Sequence, residues 1–165
     1  MKINIINTGG TFNKKYNPVS GNLEIDSSNE SIISILHNTY GNIEFEMVNI
    51  INKDSLDMDD HDRKILLEAI KACENDIIVI HGTDTMKQSC EYVDNHLESL
   101  DLNIIFTGSM YPYYYGGHEP AFNLATSIAA LKFLQKKGIY IAMHGVVDHH
   151  STVEKDRQKG KFYRI

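Results

Sequence analysis

Residues 77–85 read IIVIHGTDT, and this stretch decides the fold. Its first half, Ile77–Ile80, is an unbroken run of β-branched apolar residues. A continuous run of this kind is typical of a strand that is buried on both faces, and such strands belong to parallel sheets. The second half, His81–Thr85, is polar and contains a glycine. The stretch therefore predicts a buried parallel strand that ends in a polar turn.

Apolar runs on either side of this stretch predict four more strands, at Ile3–Ile6, Phe45–Ile51, Asn103–Phe106 and Ile139–Met143. Helical patterns lie between the runs, at Asp59–Cys73, Thr85–Leu97 and Pro120–Gln135, with a weaker one near Ser31–His37. Strands that alternate with helices are joined by right-handed crossovers, which place helices on both faces of the sheet. We therefore expect an α/β fold with a parallel sheet.

Three segments lack such patterns. One is a polar loop at Phe12–Asn29, and another is the aromatic segment Tyr111–Glu119, which reads YPYYYGGHE. The third is the tail from Asp148, which is polar and has no core-forming periodicity, so we expect it to be mobile without ligand. Neither a repeat nor an interdomain linker interrupts the chain, and residues 1–165 are expected to form one domain.

The composition is that of an ordinary globular protein, with 42% hydrophobic and 23% charged residues. A formal net charge of −6 argues against nucleic acid or an anionic membrane as partner, because both select basic surfaces. The N-terminal apolar stretch is too short for a secretion signal and no stretch is long enough to span a membrane, so a cytoplasmic location is expected. The two cysteines and eight histidines lack metal-binding spacings, so neither a metal nor another cofactor is expected.

Polar clusters follow all five predicted strands, at Thr8–Thr11, Asp54–Ser55, His81–Thr85, Thr107–Ser109 and His144–Gly145. In open α/β sheets ligands bind beyond the carboxyl ends of the strands. Because these ends meet at one edge of a parallel sheet, the clusters would gather hydroxyl and backbone N–H groups there. We therefore expect the functional site at this rim.

Several chemistries do not fit these clusters. Neither GxGxxG nor GxxxxGK[ST] occurs, so the pair Gly9–Gly10 is not a nucleotide signature. The stretch Thr107–Met110 lacks the second glycine of GxSxG hydrolases. A threonine can act as nucleophile only if a base removes its proton, and a buried lysine is one candidate base. Threonines, a lysine, an aspartate and a tyrosine would suffice for acyl transfer.

Two motifs carry a resemblance to a known family. Thr8–Thr11, which reads TGGT, and residues 81–86, which read HGTDTM, resemble the signature motifs of bacterial-type L-asparaginases. Further segments are similar to that family's lid loop, substrate-binding serine segment, TGAMRP stretch and catalytic lysine, namely residues 16–23, residues 54–58, residues 107–112 and Lys155.

The resemblance implies a flavodoxin-like sheet and an L-asparaginase that converts L-asparagine to L-aspartate and ammonia. It implies Thr11 as nucleophile with Tyr16 beside it on the lid, and a second, triad-like set formed by Thr83, Asp84 and Lys155. Ser55 and Asp84 would hold the substrate's α-carboxylate and α-ammonium groups. The remaining residues that it assigns to substrate binding are Gly10, Asp54, Gly82 and Ser109. It implies no cofactor.

The chain also departs from the family. Only the larger N-terminal domain is represented, and two-domain members complete the site with a carboxylate from a second domain of a neighbouring subunit. Glu119 is the candidate to replace that carboxylate, because it lies in an irregular segment at the rim; the alternative is a solvated glutamate near the start of the next helix, where acids are favoured. Tyr111 stands where an arginine is expected, and Leu56 stands where extracellular members carry glutamine. The family builds its sites beside subunit contacts, and the aromatic segment 111–115 favours a homodimer or larger homo-oligomer.

Alternative interpretations keep the fold and change the function. The chain could be a non-catalytic amino-acid-binding module, or a truncated domain of a larger asparaginase or of an amidotransferase subunit. A pseudoenzyme usually loses a nucleophile or base, whereas all five catalytic candidates are present here. The amidotransferase subunits need additional nucleic-acid-binding domains, for which this acidic chain has no room. The sequence therefore favours the enzyme.

Overall fold

The computed structural model describes residues 1–39 and 42–165. Its main feature is a six-stranded sheet with the spatial order β4-β1-β5-β6-β7-β8. The strands of this sheet are β1 (Lys2–Gly9), β4 (Glu44–Lys53), β5 (Ile77–Ile80), β6 (Asn103–Thr107), β7 (Gly138–Met143) and β8 (Val146–His149). All five predicted runs therefore form strands of one sheet.

Five of these strands are parallel, and only β8 pairs antiparallel, with β7. Numbered by their order in the chain, the parallel strands lie in the order 2-1-3-4-5, which is the flavodoxin-like arrangement. The α/β fold with a parallel, flavodoxin-like sheet is confirmed.

Four helices cover the two faces of the sheet, at α1 (Glu30–Asn38), α2 (Asp60–Lys71), α3 (Met86–His96) and α4 (His118–Leu131). Alternate residues of β5 enter opposite layers, since Ile77 and Val79 pack with α2 and α3, whereas Ile78 and Ile80 pack with α1 and α4. The unbroken apolar run is thus explained by burial on both faces. No helix in the described ranges is long and apolar enough to cross a membrane.

The strand β4 differs from the expectation of burial on both faces. It lies at the edge of the sheet, and along Glu44–Val48 its residues alternate between exposed and half-buried. Val48 is 45% exposed although it belongs to an apolar run. The sequence showed how apolar the strand is, but only the strand order shows that it lies at the edge of the sheet, where part of one face stays exposed.

Two short hairpins flank the main sheet. The polar loop after β1 forms one of them, from β2 (Lys14–Tyr16) and β3 (Leu23–Ile25), which pair antiparallel. The tail forms the other, from β9 (Val153–Asp156) and β10 (Lys161–Arg164).

The expectation that the tail lacks a core-forming pattern is wrong. Val153 is fully buried and Phe162 is 6% exposed, and both pack in the core layer that contains α2 and α3. His150 is also buried, and its Nε2 lies 3.1 Å from the Asp94 carboxylate. These buried side chains restrict the movement of the tail. They hold β9, which carries Lys155, against the sheet.

Replacing Phe162 with alanine should destabilise the fold by about 3 kcal/mol, because it leaves a cavity in the core. Urea-induced unfolding followed by circular dichroism measures this change. Tyr163→Ala is the matched control on the same strand, since Tyr163 is 46% exposed, and it should change stability by less than about 0.5 kcal/mol. Equal stabilities of the two variants would show that the tail adds nothing to the core.

Candidate active site

Two glycine-containing turns meet at the point where the strand order reverses. The neighbouring strands β1 and β5 end in Thr8–Thr11 and His81–Thr85, which flank the switch point where ligands of such sheets bind. Gly10 has a φ of 77°, and a Cβ at this position would lie 2.6 Å from both the Cα and the N of Gly82. Only glycine fits, and the close approach brings the backbone of the turn that carries Thr11 against the backbone of the turn that carries Thr83.

A lysine joins the second turn to the tail. Lys155 Nζ lies 2.9 Å from Thr83 Oγ1 and 2.8 Å from Asp84 Oδ1. The side chain of Lys155 is 11% exposed and that of Asp84 is 33% exposed. A second residue of the tail, Arg157, donates to the backbone carbonyl of Asp84 over 3.1 Å. A hydroxyl, a largely buried amine and a carboxylate thus lie in a row, as proton transfer from a threonine requires.

Thr83 itself is buried, at 6% exposed. Thr11 is half-buried. Both threonines therefore lie where water is partly excluded and where an acidic or basic neighbour acts more strongly.

Ser55 packs beneath the second turn. It is fully buried, and a Cβ on Gly82 would lie 2.6 Å from its Oγ. Thr85 donates from its hydroxyl to the Ser55 carbonyl over 2.7 Å and from its backbone N–H to the Ser55 hydroxyl over 3.4 Å. The turns after β1, β4 and β5 are therefore fixed against one another by direct contacts.

Asp54, predicted to bind substrate, is paired within the protein. Its Oδ2 accepts from Lys14 Nζ over 2.6 Å, and its Oδ1 accepts from the Leu56 backbone N–H over 3.2 Å. Burial alone would raise the pKa of the Asp54 carboxyl, but these hydrogen bonds outweigh burial and hold the pKa below its usual value. Asp54 thus ties the β2–β3 hairpin to the segment that carries Ser55.

Tyr16 lies on β2 of this hairpin and is 53% exposed. The base of the hairpin is fixed to the aromatic segment, because Tyr114 donates from its hydroxyl to Asp26 Oδ2 over 3.1 Å and Lys15 Nζ lies 5.3 Å from the centre of the Tyr114 ring. Burial and the hydrogen bond to Asp26 raise the pKa of Tyr114 to about 12. The structure thus leaves Tyr16 facing solvent on a hairpin that is held at its base.

The turn after β6 brings a residue that the sequence did not single out. Met110 Sδ accepts from the Thr83 hydroxyl over 3.3 Å. The neighbouring Ser109, a predicted substrate-binding residue, is buried and donates from its hydroxyl to the Tyr111 carbonyl over 2.6 Å. Met110 follows directly on the predicted cluster Thr107–Ser109 and lies within residues 107–112, whose similarity to the TGAMRP stretch was the other available signal.

Glu119 does not lie free at the rim, so its assignment as the replacement carboxylate is not supported. Its Oε1 accepts from the Met110 backbone N–H over 2.8 Å, and its Oε2 accepts from the Tyr111 backbone N–H over 2.9 Å. Its Oε1 also lies 2.8 Å from His144 Nε2. Both carboxylate oxygens therefore already accept hydrogen bonds from within the protein.

The family model "Asparaginase, N-terminal" matches residues 2–160 of the chain. No curated protein matches the sequence. Among solved structures, the thermostable L-asparaginase of Thermococcus kodakarensis is similar, with a TM-score of 0.85 and 23% identity over 100% of this chain and 51% of the other.

Two further solved structures share the fold. L-asparaginase I of Vibrio cholerae has a TM-score of 0.83 and 19% identity, over 99% of this chain and 51% of the other. A probable cytoplasmic L-asparaginase of Campylobacter jejuni has a TM-score of 0.75 and 22% identity, again over 99% and 51% of the two chains. The chain thus spans about half the length of these structures.

His81 should make stability depend on pH. It is 1% exposed, its Nδ1 donates to the Gly82 carbonyl over 2.7 Å, and its buried Nε2 has no partner within the described residues. Burial lowers the pKa of His81 to about 4, below the ordinary value of 6.5. As the pH falls from 6.5 towards 4 the unfolded chain takes up a proton that the folded chain resists, so the folded state should lose stability, by roughly 3 kcal/mol at most.

Urea unfolding at a series of pH values measures this loss, and His81→Gln removes the titrating ring. The variant should lose less stability than the parent between pH 6.5 and 4. Parallel pH profiles for the two proteins would contradict the assignment of this loss to His81.

Proposed function

The chain belongs to the asparaginase family, and we propose that it is an L-asparaginase that hydrolyses the side-chain amide of L-asparagine through a threonine nucleophile. The row formed by Thr83, Lys155 and Asp84, with contacts of 2.9 and 2.8 Å, carries this proposal. The close approach of Gly10 to Gly82 supports it, because Thr11 and Thr83 each directly follow one of these two glycines in the chain. We further propose that residues 1–165 act as one catalytic domain in the cytoplasm.

In the first half-reaction Thr11 Oγ1 attacks the side-chain carbonyl carbon of asparagine, and its proton is relayed by the Thr83 hydroxyl to Lys155. Lys155 in its neutral form can serve as the base of the Thr83 set, because its Nζ is within hydrogen-bond reach of Thr83 Oγ1. Asp84 orients the lysine and stabilises the ammonium that results. The proton is then passed to the leaving nitrogen, and ammonia departs.

The negative charge that develops on the carbonyl oxygen needs donors that are already in place. Backbone N–H groups of the two turns can supply them, because the turns are held rigidly by the Gly10–Gly82 contact and by Ser55. In the second half-reaction water attacks the acyl-threonine ester and releases aspartate. Neither half-reaction requires a metal or another cofactor.

Substrate recognition is assigned to Ser55 and Asp84. Ser55 lies beneath the turn that carries Thr83, and its hydroxyl can meet the α-carboxylate after a small movement. The Asp84 carboxylate is 33% exposed and can accept from the α-ammonium while it is paired with Lys155. A non-catalytic amino-acid-binding module would need the same two contacts, but it would not need a hydrogen bond between Lys155 and the Thr83 hydroxyl.

We propose that the chain assembles as a homodimer or larger homo-oligomer. Tyr111 and Phe122 are 69% and 55% exposed, and they line a largely apolar cavity of about 810 Å³ beside Met110. Exposed aromatic side chains around one apolar cavity favour coverage by another subunit.

Light scattering coupled to size-exclusion chromatography should therefore give at least twice the mass of 18.7 kDa. Phe122→Glu should shift the mass towards the monomer, because it buries a charge in the contact. Phe133→Glu is the control, since Phe133 is 75% exposed but lies outside this cavity. A monomeric parent protein would contradict the assembly.

Ammonia release from asparagine tests the activity. Thr11→Ala and Thr83→Val should each lower kcat by roughly 10³-fold or more, because each removes a hydroxyl that reacts or relays a proton. Thr126→Val is the control, because Thr126 hydrogen-bonds the Phe122 carbonyl on α4 and touches neither turn. Unimpaired turnover in both Thr11→Ala and Thr83→Val would exclude a threonine mechanism.

Glutamine should be a weaker substrate than asparagine in the same assay, since one methylene changes binding by about 1–3 kcal/mol.

A further inference from the structure

The turn Gly108–Tyr111 is held from one side by a single face of α4. Glu119 accepts from the Met110 and Tyr111 backbone N–H groups over 2.8 and 2.9 Å. Asn123, one helical turn later, is fully buried and donates to the Gly108 carbonyl over 2.9 Å. Residues four apart on a helix share a face, so Glu119 and Asn123 act on the turn together.

His144 supports this arrangement from the end of β7. It has a φ of 54°, the only positive value for a non-glycine residue in the described part of the chain. Its backbone N–H donates to Asn123 Oδ1 over 2.9 Å, and its Nδ1 accepts from the Phe162 backbone N–H over 3.4 Å. Because Nδ1 is an acceptor, Nε2 carries the proton of the neutral ring and donates to Glu119 over 2.8 Å.

These contacts have a consequence for Thr83, whose hydroxyl relays a proton in the proposed reaction. When Lys155 is an ammonium group it donates to Thr83 Oγ1, so the threonine's own hydrogen must point elsewhere. It points to Met110 Sδ, 3.3 Å away. While Lys155 is charged, the thioether therefore holds the Thr83 hydroxyl and fixes the position of the oxygen that a neutral Lys155 would deprotonate, and the position of Met110 is set in turn by Glu119.

We infer that Glu119 and His144 are positioning residues that act on the reaction through Met110. This inference rests on the proposed function, and it gives Glu119 a role other than binding the substrate ammonium. The two roles differ in kinetics. An ammonium ligand contributes equally to substrate and transition state and changes KM, whereas a positioning residue changes kcat.

Glu119→Ala should lower kcat on asparagine by about 10-fold to 100-fold with KM within about twofold, because a displaced reacting group costs rate rather than affinity. Glu119→Gln keeps the length and one acceptor oxygen and should recover part of the loss. Glu30→Gln is the matched control, because Glu30 is also a first-turn glutamate of a helix, α1, but is exposed and outside the site. Its kcat should match that of the parent.

A double-mutant cycle separates positioning from general loss of structure. Met110→Leu preserves volume but removes the acceptor for the Thr83 hydroxyl, so it should lower kcat to a similar extent. If Glu119 acts through Met110, adding Glu119→Ala to Met110→Leu should cost little more. His144→Asn, which tolerates the positive φ but loses the Nε2 donor, should fall between the parent and Glu119→Ala.

A spectroscopic measurement tests the same chain of contacts without turnover. With methionine labelled at the ε-methyl carbon, the Met110 resonance is one of six and is identified as the one missing from Met110→Leu. It should shift in Glu119→Ala and His144→Asn and stay in place in Glu30→Gln. Because this arm needs no substrate, a parent protein that releases no ammonia would overturn the proposed function while the methyl shifts still decide the positioning.

The outcomes that overturn the inference are distinct. A raised KM with unchanged kcat in Glu119→Ala would show that Glu119 binds the substrate ammonium group and does not position Met110. Additive losses in the cycle would show that Glu119 and Met110 act separately. An unmoved Met110 methyl resonance in Glu119→Ala would show that the carboxylate does not place the thioether.

Discussion

The close approach of Gly10 to Gly82 is the contact on which the candidate site depends. A Cβ on Gly10 would lie 2.6 Å from the Gly82 Cα, and a Cβ on Gly82 would lie 2.6 Å from the Ser55 hydroxyl. Three turns from three neighbouring strands are thereby stacked, and each carries a residue assigned to the reaction. A Cβ on Gly10 would meet Gly82 and a Cβ on Gly82 would meet Ser55, so a side chain at either glycine would push these turns apart.

A second constraint concerns the acidic residues at the rim. Asp84 is paired with Lys155, Asp54 is paired with Lys14, and Glu119 is bound to two backbone N–H groups. An amino-acid substrate brings an ammonium group that also needs an acidic partner. Asp84 is the acid that remains closest to the threonines, because it adjoins Thr83 in the chain. Its carboxylate therefore serves both the lysine and, as we propose, the substrate.

Much of the candidate site could be predicted from the sequence. The motifs at 8–11 and 81–86 place glycines and hydroxyls after two buried strands, and the structure brings Thr83, Asp84 and Lys155 within hydrogen-bond distance of one another. Two features could not be predicted. Glu119 is an acidic residue at the rim, but its carboxylate accepts a hydrogen bond from the backbone N–H of Met110. Met110 looks like an ordinary apolar residue in the sequence, whereas its Sδ accepts from the Thr83 hydroxyl. A side chain's hydrogen-bond partners depend on segments that are remote in the chain.

The sequence by itself determined the five parallel strands, the helices between them and the rim where the polar turns lie, because burial on two faces leaves an unbroken apolar run that can be read locally. Only the tertiary structure decided that β4 lies at the edge, that Val153 and Phe162 complete the core, and that α4 holds the turn beside Thr83. Those features arise from pairings between residues far apart in the chain. Such pairings leave no periodic signal, since they are fixed by strand order and by which backbone groups the crossovers bring together.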